Sequence, residues 1–325
     1  VYGTYRRLST PNFWRLDYTG TFNKVNLIPA DLTDMSSIIE ALRISQPDEI
    51  YHLAAQSFVG ASFETPINTG DITGLASTRV LECVRQNCLH AKFYFAATSE
   101  MFGKTLVLNG GMPLNENDFF CPMSPYAAAK LYSYWITRIY RDSYGIFGVN
   151  GLLFNHESPI RGLEFVTRKI SNEAAKIALG LSKELLLGNI ESKRDWGYAP
   201  EYVESMWRML QQKRPDDYVV ATGEAHQVKE FVEKAFETVG LDWQRYVRLD
   251  KRFLRPLDVP SLIGCCKKSQ KMLGWKPQTK FDDLVKIMVK EDLERWERWQ
   301  NGERFPWDAP NYSNENRVLT RALKM

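Results

Sequence analysis

Two short stretches of the chain carry residues whose types and order suit acid–base chemistry, and the first is Thr98, Ser99 and Glu100. They follow residues 92–95, an apolar run of the kind found in strands. The three residues should therefore lie at the carboxyl end of a strand, which is the edge where open parallel sheets bind ligands. Taken alone, Thr-Ser-Glu more often marks a loop or a helix cap.

The second stretch is Ser124-Pro125-Tyr126, followed by three alanines and Lys130. Ser124 suits the N-cap of a helix and Pro125 its first turn, so Tyr126 and Lys130 should share one helix face. An ammonium near a phenol lowers the pKa of that phenol, and we expect Tyr126 to act as an acid or base near neutral pH. Taken alone, Tyr-x-x-x-Lys usually marks a solvated helix face. The order of the two motifs, with Thr-Ser-Glu at a strand end before the tyrosine helix, is much rarer by chance.

Other elements must position these two stretches, and two short strands precede them. Residues 25–29 form one strand, which ends before Asp31 and Leu32; Asp34 then suits the N-cap of a helix. Residues 49–53 read as a buried strand, followed by small residues at 54–57 that allow close approach of a ligand to the backbone. His52, inside that strand, is more simply a core histidine than a ligand.

The start of the chain looks like the end of a second strand, followed by the basic turn Arg6-Arg7. In dinucleotide-binding folds a first strand, a glycine-rich turn and a helix come before that point. We therefore expect this first unit to precede Val1 in a longer chain, since the sequence holds no Gly-x-x-Gly-x-x-Gly and its nearest cluster, Gly110-Gly111, sits in a loop. Two guanidinium groups there favour a 2′-phosphate, the alternative being two solvated arginines.

Three segments, residues 98–103, 124–126 and 155–159, resemble the extended short-chain dehydrogenase/reductases, and among these the GDP-mannose 4,6-dehydratase family. The resemblance runs from about Arg6 to about Glu294. It implies an α/β fold: a Rossmann-like, doubly wound parallel sheet with a smaller C-terminal substrate domain. The expected division is an NADP domain at 1–163 and a sugar-nucleotide domain at 164–325, with residues 199–223 returning to the first.

The resemblance implies NADP as the cofactor and no metal. The residues that it places at the cofactor are Arg6, Arg7, Asp31, Leu32, Leu53, Ala54, Ala55, Gln56, Ser57, Tyr126, Lys130, His156 and Arg161. The residues that it places at the sugar nucleotide are Ser57, Thr98, Ser99, Glu100, Asn155, Lys169, Arg194, Arg255 and Asp258. For Arg194 the alternative is a plain ion pair with Asp195.

The implied reaction converts GDP-mannose to GDP-4-dehydro-6-deoxymannose, a step of deoxysugar (GDP-fucose) biosynthesis. Tyr126 takes the proton of the 4-hydroxyl, which Thr98 also contacts, while NADP accepts a hydride from carbon 4. Lys130 holds the ribose, and Glu100 removes the proton of carbon 5 as water leaves from carbon 6. The hydride then returns to carbon 6 and a proton to carbon 5, so that no net oxidation or reduction occurs. Alternatives are a GDP-manno-heptose dehydratase and a catalytically idle sugar-nucleotide-binding protein; Glu100 beside Thr98 favours elimination over reduction or epimerisation.

Composition narrows the remaining possibilities. The 325 residues are 44% hydrophobic and 25% charged, as in ordinary globular proteins. A net charge of +3 gives no reason to expect a nucleic-acid partner, and no apolar run suggests a membrane span. Five cysteines without metal spacing favour a reduced, cytoplasmic protein.

Assembly and loop length add two further expectations. Residues 66–88 should form a long helix capped by Thr65, which with the Tyr126 helix resembles the four-helix interface of homodimers or homotetramers in this superfamily. The alternative is ordinary packing on the sheet. Residues 104–112 form a longer connection beside the site, either a lid or a surface loop.

Overall fold

The computed structural model describes residues 1–9, 12–254 and 256–303. Its strands are β1 (Tyr2–Tyr5), β2 (Asn26–Pro29), β3 (Glu49–His52), β4 (Lys92–Thr98), β5 (Gly148–Leu153), β6 (Asn155–Glu157), β7 (Leu185–Leu187), β8 (Lys193–Arg194), β9 (Trp196–Tyr198), β10 (Asp217–Val220), β11 (His226–Gln227) and β12 (Val247–Leu249). Its helices are α1 (Trp14–Tyr18), α2 (Met35–Ser45), α3 (Val59–Glu64), α4 (Pro66–Thr69), α5 (Ala76–Asn87), α6 (Thr105–Leu108), α7 (Pro125–Tyr144), α8 (Val166–Ala178), α9 (Ala199–Leu210), α10 (Val228–Thr238), α11 (Lys267–Leu273) and α12 (Phe281–Gln300).

The central element is a parallel sheet in the order β10-β5-β4-β3, and β1 and β2 form a separate parallel pair. Alternate residues of β4 face opposite sides, as the two-residue period of a strand requires. Phe93 and Phe95 pack with α5 residues such as Val84, whereas Tyr94 packs with Tyr202 and Met206 of α9. Helices therefore cover both faces of the sheet, which confirms the predicted doubly wound α/β class.

A second hydrophobic core lies between α8, α10 and α12, with the parallel pair β7 and β12 against it. Ile170, Phe231 and Val285 are fully buried there. The two cores are joined by α9, which packs on the central sheet, and by β6, which pairs with β9. This arrangement places the end of β5 and the segment after it between the sheet and the smaller helical lobe.

Two local predictions are wrong. The strand at residues 49–53 was expected to be buried, but Tyr51 is 37% exposed and Leu53 is 54% exposed; among the described residues β3 pairs with β4 alone, so one edge of it is uncovered. Thr65 does not cap the long helix, because its hydroxyl donates to the carbonyl of Ala61 in the preceding turn. That helix also changes to π-helical geometry at Gly70–Leu75 between α4 and α5.

Other predictions hold closely. Asp34 caps α2 by accepting from the Ser36 N–H. His52 is a buried core histidine between Phe93 and Phe95, with its Nε2 3.2 Å from the Ser77 hydroxyl; burial lowers its pKa to about 3. None of the helices in the described part of the chain combines the length and the apolar character that crossing a bilayer requires.

Candidate active site

The start of α7 fixes the first group of the site. The Ser124 side chain accepts from the Ala127 N–H at 3.1 Å, and Pro125 occupies the first turn, as predicted. The cap holds the helix end against the carboxyl edge of β4 and β5. As a result Tyr126 and Lys130 are both buried, with 8% and 3% exposure.

The end of β4 supplies the second group. Thr98 is the last residue of the strand, and a 3₁₀ turn at Ser99–Met101 follows it. The Thr98 hydroxyl oxygen accepts from the Glu100 N–H at 3.3 Å. Its hydrogen remains free to point elsewhere, and it lies close enough to Tyr126 to hydrogen-bond the phenol and favour its ionised form. Ser99 is buried beside them.

The prediction that Lys130 lowers the pKa of Tyr126 is wrong. Burial raises the pKa of Tyr126 to about 12; the Thr98 hydrogen bond lowers it, Glu100 raises it and Arg161 lowers it. The Lys130 ammonium lies 6.0 Å from the centre of the Tyr126 ring and donates to the Ala96 carbonyl at 2.6 Å instead. The backbone of β4 therefore competes for the ammonium that was expected to act on the phenol.

Lys130 itself is strongly affected by its surroundings. Desolvation lowers its pKa to about 7. One of its donors is used by Ala96, and the group lies 4.7 Å from the Phe95 ring centre. An ammonium with spare donors, held dry at a sheet edge, is a suitable partner for ligand hydroxyls.

β6 contributes two polar side chains from the predicted motif. The Asn155 side-chain oxygen is buried and has no hydrogen-bond partner among the described residues. The His156 Nδ1 lies 2.9 Å from the Phe154 carbonyl, so it carries the proton and leaves Nε2 as an acceptor. His156 stacks on Tyr202, and desolvation lowers its pKa, which keeps it neutral. An unpaired buried oxygen is expensive in a folded protein, and a ligand hydroxyl would satisfy it.

One acidic group at the site was not assigned a role from the sequence. Glu157 is 1% exposed, accepts from the Thr167 hydroxyl at 2.6 Å and lies 3.3 Å from the Arg161 Nε. The Arg161 guanidinium in turn lies 3.6 Å over the Phe165 ring. The available signal was a carboxylate inside the strand-end motif at residues 155–159.

The segment after the carboxyl end of β3 has residues that fit a dinucleotide. Ala54 is exposed and Ala55 is half-buried, and both are small, while the Gln56 N–H donates to the Thr73 hydroxyl at 3.1 Å. Ser57 follows them in the same segment. This segment gives a ligand access to backbone without bulky side chains.

The region of the predicted 2′-phosphate contact also fits. Arg6 and Arg7 are exposed immediately after β1. Asp31 follows β2, and its pKa is lowered by hydrogen bonds from Thr33 and by the charge of Arg6. Leu32, next to it, packs on the core under the sheet. Guanidinium groups and an ionised carboxylate at one edge provide donors for phosphate and an acceptor for an adenosine moiety.

The smaller lobe holds a second group of predicted contacts. Arg194 is 7% exposed, donates to the Val259 carbonyl at 2.8 Å and pairs with Asp258 at 3.2 Å. The alternative of an ion pair with Asp195 is wrong, because that carboxylate accepts from the N–H groups of Thr222 and Gly223 and from Gly264. Arg255 lies outside the described residues.

Lys169 belongs to the same lobe, on α8. Its ammonium lies 3.5 Å over the ring of Phe253, and desolvation lowers its pKa to about 8. Phe253 was not singled out from the sequence, since an aromatic residue in a loop carries no signal of its own. The structure thus gathers the predicted catalytic residues around Tyr126, and the predicted nucleotide contacts form a second cluster in the smaller lobe.

Comparison with known proteins gives the same family on two counts. Residues 1–288 match the family model described as GDP-mannose 4,6 dehydratase. The chain is 48% identical over 304 residues to GDP-mannose 4,6 dehydratase 2 of Arabidopsis thaliana, covering 90% of this chain and 80% of the relative. It is 43% identical over 319 residues to GDP-mannose 4,6 dehydratase of Homo sapiens, covering 90% and 85%.

Solved structures share the fold at lower identity. RMD from Pseudomonas aeruginosa, complexed with NADPH, superposes with a TM-score of 0.77 at 20% identity, covering 87% of this chain and 96% of that one. A dTDP-glucose 4,6-dehydratase, DesIV from Streptomyces venezuelae, gives a TM-score of 0.79 at 20% identity, covering 93% and 90%. At this identity the likeness establishes the fold.

Proposed function

Because the chain belongs to the GDP-mannose 4,6-dehydratase family, we propose that it removes water from GDP-mannose to give GDP-4-dehydro-6-deoxymannose, with NADP as its cofactor. The observation that carries the proposal is the grouping at one sheet edge of a buried phenol, a hydroxyl that hydrogen-bonds it and a separate carboxylate: Tyr126, Thr98 and Glu100. Oxidation of the sugar hydroxyl needs only the phenol and the hydroxyl, Tyr126 and Thr98. A second base is what elimination requires in addition.

Each of these residues acts on a different atom of the sugar. Tyr126 takes the proton of the sugar 4-hydroxyl, and Thr98, whose hydroxyl already contacts the phenol, holds the 4-oxygen. Glu100 removes the proton of carbon 5, which a ketone at carbon 4 makes acidic, and that proton is passed to the carbon-6 hydroxyl, which departs as water. When the hydride is returned to carbon 6, a proton equivalent to the one that Tyr126 took is returned to carbon 5. Glu100 is fixed for this by the bond from its own N–H to Thr98. The Asn155 oxygen gains a partner from a sugar hydroxyl.

When bound, NADP would supply a group that can accept a hydride from the sugar and give it back. Lys130 and the segment from Leu53 to Ser57 hold its ribose and pyrophosphate. Arg6 and Arg7 bind the 2′-phosphate, Asp31 and Leu32 flank the adenine, and His156 and Arg161 complete the contact. The choice of NADP over NAD is supported by the two exposed guanidinium groups after β1.

The smaller lobe binds the nucleotide half of the substrate. We assign Arg194 to the diphosphate, since its forked donors suit phosphate oxygens. Lys169, Asp258 and Arg255 complete this set, while Ser57 and Ser99 lie toward the sugar. The corresponding division is an NADP domain at residues 1–163 and a sugar-nucleotide domain at 164–325, with 199–223 returning to the first.

Mass spectrometry of the product tests the proposal. The protein is incubated with NADP and GDP-mannose, and the nucleotide sugar is measured before and after. A product lighter by one water supports the dehydratase. Substrate that binds and stays unchanged would identify an idle sugar-nucleotide-binding protein instead, and preferential turnover of GDP-manno-heptose would reassign the sugar.

We also propose that the chain acts as a homodimer or homotetramer through the outer faces of the helical segment at residues 66–88 and of α7. Tyr132, Trp135 and Ile139 form an exposed apolar stripe on α7, each 40–48% exposed. A surface hollow of about 490 Å³ lies beside it, lined by residues that include Ile67 and Leu75. Aromatic residues gathered on an exposed face are typical of protein interfaces.

A cytoplasmic site for this step of deoxysugar (GDP-fucose) biosynthesis completes the proposal. All five cysteines are free thiols, and Cys83, Cys88 and Cys266 are buried. Burial raises the pKa of each of these three thiols, which makes them poor nucleophiles. Such cysteines suit a reducing compartment.

A further inference from the structure

The loop that carries Arg161, residues 158–162, is held by its backbone in an unusual way. Three consecutive carbonyls, those of residues 159, 160 and 161, each accept a hydrogen bond from a different arginine. We call these arginines the arginine cluster. The bonds are Arg295 to the Pro159 carbonyl at 2.6 Å, Arg15 Nε to the Ile160 carbonyl at 2.9 Å, and Arg168 to the Arg161 carbonyl at 2.9 Å.

The arginine cluster comes from three separate helices, α1, α8 and α12. Arg168 and Arg295 are buried, at 1% and 4% exposure, and both bind the fully buried carboxylate of Asp292, at 2.7 and 3.2 Å. The carboxylate of Glu291 also lies 3.8 Å from the Arg295 guanidinium, so two carboxylates face the two buried cations. Buried guanidinium groups are tolerated only when their remaining donors also find hydrogen-bond partners. The carbonyls of the loop accept from some of those donors, so the packing of the arginines and the geometry of the loop depend on each other.

The loop in turn fixes where the Arg161 side chain lies. Its Nε is 3.3 Å from Glu157 and its guanidinium lies 3.6 Å over Phe165. From that position its charge acts on Tyr126. The other charged groups that face the phenol are Glu100, from the turn after β4, and Lys130, from α7 itself at 6.0 Å.

We propose that Arg15, Arg168 and Arg295 are positioning residues for the reaction, which hold the backbone of residues 158–162 so that the Arg161 guanidinium keeps its place between Glu157 and Phe165. The inference rests on the proposed role of Tyr126 as the base for the 4-hydroxyl. It adds residues from α1 and from α12, the last helix in the part of the chain that the structure describes, and neither helix contributes a catalytic side chain.

Arg15 offers the mildest test, because it is exposed and Arg15→Met keeps its stem while removing the donor. Loosening the loop moves a positive charge away from the phenol, which raises the pKa of Tyr126. A base works in its deprotonated form, so the rise of kcat with pH should move to higher pH by roughly 0.5–1 unit, a fraction of what a neighbouring charge contributes. At fixed neutral pH kcat should fall about threefold to tenfold, with KM little changed.

Two control variants distinguish a positioning role of Arg15 from a general loss of stability. Arg15→Lys keeps a charged donor and should restore most of the wild-type pH profile. Arg43→Met removes an exposed arginine that pairs only with Glu40 in the part of α2 described, and should leave the profile unchanged. A fall in kcat without any shift of the pH midpoint, or an equal shift in Arg43→Met, would overturn the proposal.

Hydrogen–deuterium exchange gives a readout that needs no turnover. The Arg161 N–H donates to the Ser158 carbonyl at 3.0 Å, so its exchange reports on the loop. In Arg15→Met a peptide covering residues 158–162 should exchange several-fold faster, while peptides from α8 and α12 stay as in the wild type. Unchanged exchange in the loop contradicts the proposal even if the enzyme is active; an inactive wild type contradicts the proposed function instead.

Discussion

At the scale of single residues the central question is how a phenol with a raised pKa serves as a base. Burial raises the pKa of Tyr126 to about 12, and two groups of the chain act against that rise, the Thr98 hydroxyl and the Arg161 guanidinium. Lys130 is not one of them, since its ammonium is bound to the Ala96 carbonyl. The proton transfer therefore depends on groups from β4 and from the loop after β6 as well as on α7.

Replacing Tyr126 tests this role. Tyr126→Phe keeps the ring and its packing but removes the transferable proton, so kcat should fall about 10²–10⁴-fold, the usual range for general acid–base help. The dissociation constant for GDP-mannose, measured by calorimetry, should stay within about threefold because the ring contacts remain. Turnover close to that of the wild type would rule out Tyr126 as the base.

Replacing Thr98 should change the pH dependence of the reaction rate. Thr98→Val removes the hydrogen bond that lowers the pKa of Tyr126, so that pKa should rise further. Because the phenol must be deprotonated to act, the rate at neutral pH should fall and its increase with pH should begin at a higher pH. Thr98→Ser keeps the hydroxyl and should restore the wild-type profile; identical profiles for valine and serine would show that the hydroxyl does not act on Tyr126.

The sequence predicted these residues unevenly. Thr98, Glu100, Tyr126 and Lys130 could be found because each sits at a strand end or a helix start, where local rules place the side chain. The direction of the pKa shift of Tyr126 was predicted wrongly. Sequence spacing shows that Lys130 lies near the phenol, but it does not show which acceptor the ammonium binds. The arginine cluster escaped detection because Arg15, Arg168 and Arg295 are far apart in the chain and only tertiary packing brings them to one loop.

At the scale of elements the 3₁₀ turn after β4 is held by a close backbone contact. Gly103 has a positive φ of 50°, and a Cβ there would lie 1.8 Å from the Cys121 carbonyl oxygen. The segments 101–103 and 119–121 are therefore packed backbone to backbone, next to Glu100. The predicted lid or surface loop at residues 104–112 begins at this contact and contains α6, with Val107 and Leu108 exposed.

Gly103→Ala should consequently destabilise the protein by more than the roughly 1 kcal/mol that a side chain at positive φ costs on its own, because the backbone of Cys121 must also move. Displacement of Glu100 should lower kcat as well. Gly110→Ala is a matched control, since Gly110 has a φ of 77° but open space around it. Chemical unfolding of both variants measures the difference, and equal losses would contradict the contact.

At the scale of the whole molecule the site lies where two hydrophobic cores meet. Thr98 ends β4 and Tyr126 and Lys130 begin α7, all three beside the sheet, while the smaller lobe carries Lys169 on α8 and Arg194 on β8. The fold class was implied by the family resemblance, whereas β3 was misjudged because an apolar run does not show how many neighbours a strand has. The π-helical segment at Gly70–Leu75 likewise has no signal in residue types.

A single charged substitution tests self-association through the helical segment at residues 66–88 and α7. Trp135→Glu places a carboxylate in the middle of the exposed stripe and should shift the protein to monomers in sedimentation measurements. Trp207→Glu is a matched control, because Trp207 is exposed to a similar degree, 54% against 47%, on α9 at the other face of the sheet. A monomeric wild type, or the same shift in both variants, would contradict the proposed interface.

The most direct test of the whole account is Glu100→Gln, because it separates oxidation at carbon 4 from elimination. The amide preserves the shape of the side chain and removes only the proposed base for carbon 5. We predict that the variant, given GDP-mannose, accumulates reduced NADP by its absorbance, forms little 6-deoxy product, and no longer exchanges the hydrogen of carbon 5 with solvent deuterium. Near-normal formation of 6-deoxy product with deuterium at carbon 5 would contradict the account and leave Glu100 as a residue of the turn alone.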